Sequence, residues 1–259
     1  MEKGSIKPVK DLKTLRKALE KDAFKNAAFI NSVFNDDEKF RCYKGSDCKR
    51  FLGVNGKERE AIFGGDWAGA RLPVDLLPKK GFFVSCAPTP AIRLLKRHYK
   101  FKGEWPCWTY ARKKGFGKGP WDELERLKPS DAPVVAKHWR LDDKPEPYIR
   151  SRIRKYESAC VRVDGKLLAW GGLHWEAGGA ANMGFAHTMA RHRRKGYATL
   201  VTKAMVNRII ARGNIPMMYI FKTNTASQRL CEGLGFKRIG EATWALVGKR
   251  KKNSRSKRG

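Results

Sequence analysis

A short basic segment, Arg193 to Ala198, contains residue types that bind a phosphorylated ligand. It reads RRKGYA, follows an apolar strand-like segment, and precedes a helical pattern. Gly196 lets the backbone approach a ligand with no side chain in the way, and the amides at a helix start carry partial positive charge. Arg193, Arg194 and Lys195 add charge-assisted contacts. The spacing R-x-x-G-x-A therefore predicts a diphosphate-binding turn; a solvated basic turn is the alternative reading of these residues alone.

A second motif follows the basic segment. Residues 224–236 read NTASQRLCEGLGF, in which an asparagine precedes a helical pattern that ends in Leu-Gly-Phe. The two motifs, in this order, resemble the GNAT superfamily of acyl-CoA-dependent N-acyltransferases over roughly residues 124–248. The resemblance implies a GNAT fold in this half of the chain, acetyl-CoA or another acyl-CoA as co-substrate, and a primary amine as acceptor.

The resemblance also implies which residues contact the acyl-CoA. The turn holds the diphosphate, Asn224 contacts the pantetheine arm, and the backbone amides of Thr188 and Met189 hold the thioester carbonyl, where charge develops during acyl transfer. The expected cofactor-binding set is Thr188, Met189, Arg191, Arg193, Arg194, Lys195, Gly196, Tyr197, Ala198, Asn224 and Ser227.

The catalytic residues depart from the family pattern. Asn182 stands where related enzymes often have a glutamate base, and Cys231 replaces the usual tyrosine acid. Glu176 and His187 are the candidate bases, with His174 as a third. Strict strand alternation puts His187 on the face opposite Asn182, although a bulge would change that. Cys231 reads either as a weak acid or as a small core residue.

Within the superfamily, residues 125–198 are most similar to the glycine N-acyltransferase-like branch, and the segments 127–139 and 149–170 carry that likeness. This likeness implies that the acceptor is an amino acid or another small amine. Residues 93–112 resemble the end of the degenerate GNAT-like N-terminal lobe of related two-lobed proteins, and no R-x-x-G-x-A segment occurs before residue 113.

The pattern of elements predicts an α+β fold in two parts. Residues 1–112 form a smaller α+β lobe that opens with one amphipathic helix over 11–34. The segment 113–123, with three glycines and a proline, is a linker. The GNAT domain covers 124–248 and includes a hairpin turning at Asp164-Gly165 and a helix over 195–213 closed by Gly213. Residues 249–259 are a basic, disordered tail.

The charge of the chain is strongly positive. The 56 Lys and Arg residues against 25 Asp and Glu give a formal net charge of +31. Such an excess attracts polyanions, so contact with nucleic acid or the ribosome is a further expectation. Two alternatives remain open: a nucleic-acid-binding protein with a degenerate acyltransferase fold, and an acyltransferase that acts on RNA-bound or ribosome-bound amines.

The cysteines and the apolar segments predict the cellular compartment of the protein. The six cysteines have no C-x-x-C spacing, so we expect free thiols and no metal site. The first residues lack the apolar segment of a signal peptide, and no apolar run is long enough to span a membrane. The sequence therefore predicts an intracellular, cytoplasmic protein with no membrane partner; the basic tail also fits nuclear import.

Overall fold

The computed structural model describes residues 6–35, 40–139 and 145–251. The chain forms two compact units: Met1–Trp108 together with Glu241–Gly259, and Thr109–Gly240. The sequence pattern predicts the corresponding boundaries after residues 112 and 248, a few residues later than the divisions between the units. The strands β6 and β11 each contribute residues to both units.

The first unit combines a sheet with three helices. Its elements are β1 (Ile6–Pro8), α1 (Leu12–Glu20), α2 (Ala27–Phe34), β2 (Arg41–Gly45), β3 (Arg50–Asn55), β4 (Glu60–Gly65), β5 (Phe82–Ala87), α3 (Thr89–His98), most of β6 (Tyr99–Ala111) and the end of β11 (Lys237–Arg250). The order β1-β2-β3-β4-β5-β11 is antiparallel except between β4 and β5. Its core packs Trp67, Phe82 and Tyr99 among aliphatic side chains.

The single helix expected over 11–34 is instead two helices. Residues 21–26 form turns between α1 and α2, and the side-chain amide of Asn26 donates to the carbonyl oxygen of Leu19 at 3.0 Å. The same carbonyl also accepts from the amide of Asp22 at 3.2 Å, so bonds from the turn close the end of α1. The apolar spacing continues across residues 21–26, so the periodicity alone could not predict the break between α1 and α2.

The second unit contains the segment with the two motifs. Its elements are the end of β6, α4 (Ala132–Lys137), α5 (Pro145–Lys155), β7 (Ser158–Val163), β8 (Lys166–Ala177), β9 (Ala180–Thr188), α6 (Tyr197–Ala211), β10 (Ile215–Phe221), α7 (Thr225–Gly233) and the start of β11. The order β7-β8-β9-β10 is antiparallel except between β9 and β10. The predicted hairpin at Asp164-Gly165 is confirmed by the pairing of Val163 with Lys166.

Helices lie on both faces of this sheet. A Cβ on Gly171 of β8 would lie 3.2 Å from Val201 of α6, so this face carries α6. The neighbouring Trp170, on the opposite face, packs with Val135 of α4 and Ile149 of α5. Side chains on the same face of this sheet can lie together, whereas those on opposite faces cannot.

The segment predicted as a linker packs onto α6 within the second unit. The amide of Phe116 donates to the side chain of Asn207 at 2.7 Å, and Lys203 lies 3.9 Å from the ring centroid of Trp121. Residues 249 and 250, expected in the tail, belong to β11, and residues 252–259 lie outside the described residues.

Candidate active site

The basic turn connects β9 to α6 and is open to solvent. Gly196 has φ of +79° and Arg194 has φ of +61°, so the chain reverses through two left-handed residues. A Cβ added at Gly196 would meet no atom within 4 Å. Arg193, Arg194, Lys195 and Gly196 are all exposed. The turn therefore has room for a ligand beside its backbone, and its own side chains do not fill that space.

The start of α6 has no side-chain cap. Gly196 is the N-cap residue, and the first helical bond runs from the amide of Leu200 to the carbonyl of Gly196 at 3.1 Å. The amides of residues 197–199 precede that bond, so they are the donors that a helix start offers to an anion. Arg193 donates from Nε to the carbonyl of Thr188 at 3.3 Å, which holds its guanidinium beside the end of β9. These features fit the diphosphate of an acyl-CoA.

The strands β9 and β10 are paired at one end and separate at the other. Their ladder covers Ile215 with Ala180, Pro216 with Ala181, and Met217 with Asn182. Beyond these pairs β9 continues to Thr188 and β10 continues to Phe221 without further pairing in the described register. The opening lies at the end of β9 that leads to the basic turn, and unpaired strand edges there offer backbone donors and acceptors.

A bulge in β9 changes which side chains share a face. Phe185 has φ of +35°, and the register shifts between the pair Gly172–Gly184 and the pair Trp170–His187. One extra residue on β9 reverses the alternation beyond it. Asn182, Gly184 and His187 consequently lie on one face, away from α6. The strict-alternation expectation that His187 faces away from Asn182 is therefore wrong.

The backbone amides of Thr188 and Met189, at the end of β9, differ in whether they are free to donate to a ligand. The amide of Met189 donates to the carbonyl of Leu168 at 2.9 Å. It is therefore engaged with β8, contrary to its expected role with the thioester carbonyl. Thr188 is opposite Ala169. Because amides alternate in direction along an antiparallel strand, the Thr188 amide points away from β8, towards the side of β10.

His187 is held among aromatic rings at the end of β9. Its ring stacks on His138 with centroids 4.3 Å apart and lies 5.1 Å from the ring of Trp170. Burial, and then the charges of His138 and Arg193, lower the pKa of His187 below its usual value. The imidazole is therefore neutral at pH 7, which is the form that accepts a proton.

A second histidine occupies the same face. The hydroxyl of Tyr148 and Nδ1 of His174 are 2.8 Å apart, and a Cβ on Gly184 would overlap the His174 ring, so only glycine fits beneath it. Burial and the nearby Arg152 lower the pKa of His174 to about 4. The sequence suggested His174 but neither Tyr148 nor His138, because contacts between distant elements leave no local signal.

Glu176 lies on the other face, at the paired end of the strands. It is opposite Ala181, and its carboxylate accepts from Arg212 at 3.1 Å. Arg212 follows the last residue of α6, and this 15-residue helix separates it from the basic turn by about 22 Å. The ion pair and the position argue against the role of Glu176 as the base.

Cys231 is a buried residue of α7. Its side chain is 2% exposed and its Sγ lies 3.8 Å from the sulfur of Met218. Burial, followed by the charge of Glu232, raises the pKa of the thiol to about 12. These contacts favour the core reading of Cys231 over that of a catalytic acid.

The remaining predicted contacts lie around the opening. Asn224 caps α7 by accepting from the amide of Ser227 at 3.1 Å, so its side-chain oxygen is occupied within the chain. Arg191 is exposed on a short 3-10 turn before Arg193, and Tyr197 begins α6. In the part of the chain that the structure describes, no group of three or more His, Cys, Asp or Glu side chains is placed to hold a metal ion. The helices of that part are all too short or too polar to cross a membrane.

Comparison with known proteins agrees with this geometry. Residues 164–245 match the family model described as FR47-like protein. An X-ray structure of a Drosophila protein superposes with a TM-score of 0.69 at 15% identity, covering 93% of this chain and 98% of that one. A GNAT-family acetyltransferase from Colwellia psychrerythraea gives 0.58 at 15% identity, covering 95% and 100%. A GCN5-related N-acetyltransferase from Sphaerobacter thermophilus gives 0.59 at 11% identity, covering 96% of each chain.

These similarities extend over nearly the whole chain, and the FR47-like match includes the basic turn, the separated strands and the capped helix α7. The chain therefore has the GNAT fold, and residues 164–245 within it match the FR47-like family model.

Proposed function

We propose that the protein transfers an acetyl or other short acyl group from acyl-CoA to the primary amine of a small molecule, an amino acid being the favoured acceptor. The observation that carries this proposal is that two ligand-accessible features lie at the same end of the sheet. The uncapped, exposed turn at Gly196 lies at the same end of β9 as the separation of β9 from β10. A diphosphate at the turn leaves the rest of a long ligand free to extend between the strands.

The acyl-CoA supplies an activated carbonyl with a thiolate leaving group. The residues of the turn bind and orient the diphosphate, and Arg193 remains fixed against the carbonyl of Thr188. The amide of Thr188, on the open side of β9, is the donor we assign to the oxygen on which charge develops. Fixed positioning of this kind contributes much of the rate in acyl transfer.

We assign the proton-accepting role to His187. Its imidazole is neutral at pH 7 and shares a face with Asn182, whose amide cannot accept a proton usefully. As the amine nitrogen forms its bond to the acyl carbon and the carbon–sulfur bond breaks, His187 takes the proton that the amine releases. His187 then releases its proton to solvent and the thiolate of CoA takes one up from solvent, which gives the amide, free CoA and a neutral imidazole again.

The preference for an amino acid rests on two supports. One is the similarity of residues 127–139 and 149–170 to the glycine N-acyltransferase-like branch. The other is Arg152, whose guanidinium lies 4.8 Å from the ring centroid of Tyr148 and donates to the carbonyl of His174 at 3.0 Å. This places a cation beside the face that carries His187, where a carboxylate-bearing acceptor is favoured over a second cation.

The test is an acceptor screen with labelled acetyl-CoA on the full chain, covering amino acids, polyamines, basic peptides and tRNA. Calorimetry first establishes that acetyl-CoA binds. We expect label in a small amino acid. Failure of acetyl-CoA to bind would refute the acyltransferase assignment, whereas binding with label only in a polyamine, peptide or tRNA would refute the amino acid acceptor alone.

A further inference from the structure

The first unit has a cavity of about 370 Å³. It is bounded by the β3–β4 hairpin and by the segment Asp75–Lys80. The basic side chains that line it are Arg41, Arg59, Lys79 and Lys80, and the lining includes one carboxylate, Asp75. Val54, Leu76, Leu77 and Pro78 complete the lining. This combination of apolar surface and cations suits an anionic ligand.

Two of these cations lie at the β3–β4 hairpin. Arg59 has φ of +53°, a left-handed conformation that costs roughly 1 kcal/mol or more for a residue with a side chain. Its carbonyl accepts from the amide of Phe83 at 2.8 Å, which holds the conformation. Arg41 lies across the same turn, and a Cβ on Gly56 would be 3.9 Å from its Nη2. Both arginines therefore lie beside the turn that joins β3 to β4.

A second group of cations lies next to the cavity. Arg250 pairs with Asp75 at 3.3 Å, so the end of β11 lies beside the one carboxylate of the lining. Lys251 then bonds to the end of α3, its amide to the carbonyl of His98 and its Nζ to that of Lys96. Lys96 also pairs with Glu104 at 2.7 Å. Two basic stretches far apart in sequence, 93–100 and 249–251, are thereby brought together.

We propose that this face, from the cavity at Arg41, Arg59, Lys79 and Lys80 to the end of β11, binds the phosphodiester backbone of a nucleic acid. Collecting like charges on one surface destabilises a free protein through repulsion, and a polyanion relieves that repulsion. A linear ligand is favoured over a single phosphate because the cations continue beyond the cavity along β11 and α3.

The test measures fluorescence anisotropy of labelled single-stranded RNA and DNA of about 20 nucleotides against salt concentration. The variant combines Arg59→Gly, Lys79→Ala and Lys80→Ala; glycine suits the left-handed position. We expect affinity to fall about tenfold or more at low salt, and the slope of log affinity against log salt to become shallower by about 2, for three lost phosphate contacts.

The matched control removes the same charge from α1 and the residue after it through Lys13→Ala, Lys17→Ala and Lys21→Ala, three exposed residues of the same unit. It should bind RNA and DNA nearly as the unmodified chain does, and circular dichroism should show both variants folded. Equal losses in the two variants, or no binding at low salt, would overturn the proposal. So would a mononucleotide that binds as tightly as the polymer, because it would identify a small-ligand site.

Discussion

The two ends of α6 are built from similar residues and differ in almost every contact. Gly196 before the helix and Gly213 after it have φ of +79° and +77°, and neither has an atom within 4 Å of an added Cβ. At the second end, the amides of Gly213 and Asn214 donate to the carbonyls of Ile210 and Ile209, and Arg212 pairs with Glu157 and Glu176. At the first end, the helix starts without a side-chain cap among exposed cations.

The strands β9 and β10 also differ between these two ends of the helix. Near Gly213, β10 is paired with β9 and the amide of Ile215 donates to the carbonyl of Gly179. Towards Gly196 the two strands separate. An unsatisfied helix start costs free energy that a cap would recover, so the open end is the one expected to receive a ligand, while the closed end stabilises the fold.

The largest effect should come from placing the same acidic side chain at each glycine. Gly196→Glu puts a carboxylate where we expect the diphosphate, so acetyl-CoA affinity measured by calorimetry should fall at least about a hundredfold. Gly213→Glu imposes equal backbone strain and the same charge at the closed end, and should retain binding within about threefold. Similar losses in both variants would mean that strain in α6, and not the turn, controls affinity.

A smaller effect should follow from His187→Gln, which removes the base and keeps a polar side chain. We expect kcat to fall about a hundredfold at pH 8 with acetyl-CoA affinity unchanged. Burial lowers the pKa of His187, so the imidazole stays neutral through the range in which an ordinary histidine titrates and becomes protonated only at lower pH.

The advantage of the unmodified enzyme over this variant should therefore shrink as the pH falls through that lowered pKa. The ratio of the two rates at each pH removes the titration of the acceptor amine, which both enzymes share. A ratio that stays constant from pH 8 down to the lowest pH at which both enzymes remain folded would show that His187 positions other groups and does not take the proton.

The two ends of α6 also show what local sequence can predict. Glycines at both ends, the basic run and the Asp164-Gly165 hairpin are signals within a few residues, and each matches an observed element boundary or turn. The face of His187 was not predictable in this way, because it depends on one extra residue at Phe185 in the register with β8. The pair formed by Tyr148 and His174 likewise arises only when α5 packs on the sheet.

A still smaller effect is expected at the closed end. Glu176→Gln removes the charge that pairs with Arg212 and keeps hydrogen-bonding capacity, so the free energy of unfolding should fall by about 1 kcal/mol or less, since Arg212 is half exposed. Denaturant unfolding measures this change, and kcat/KM should remain within about twofold of the unmodified value. A large loss of kcat with intact stability would restore Glu176 as the base.

The smallest catalytic effect is expected at Cys231, on α7. Because burial raises the pKa of its thiol to about 12, it should not react with a thiol reagent in the folded protein, whereas the exposed Cys48 should. Cys231→Ala should lower the free energy of unfolding by about 1 kcal/mol through loss of packing, with kcat nearly unchanged. If the thiol instead protonates the leaving group, kcat of the unmodified enzyme should fall at alkaline pH, and Cys231→Ala should abolish that fall. Such a result would identify Cys231 as the catalytic acid.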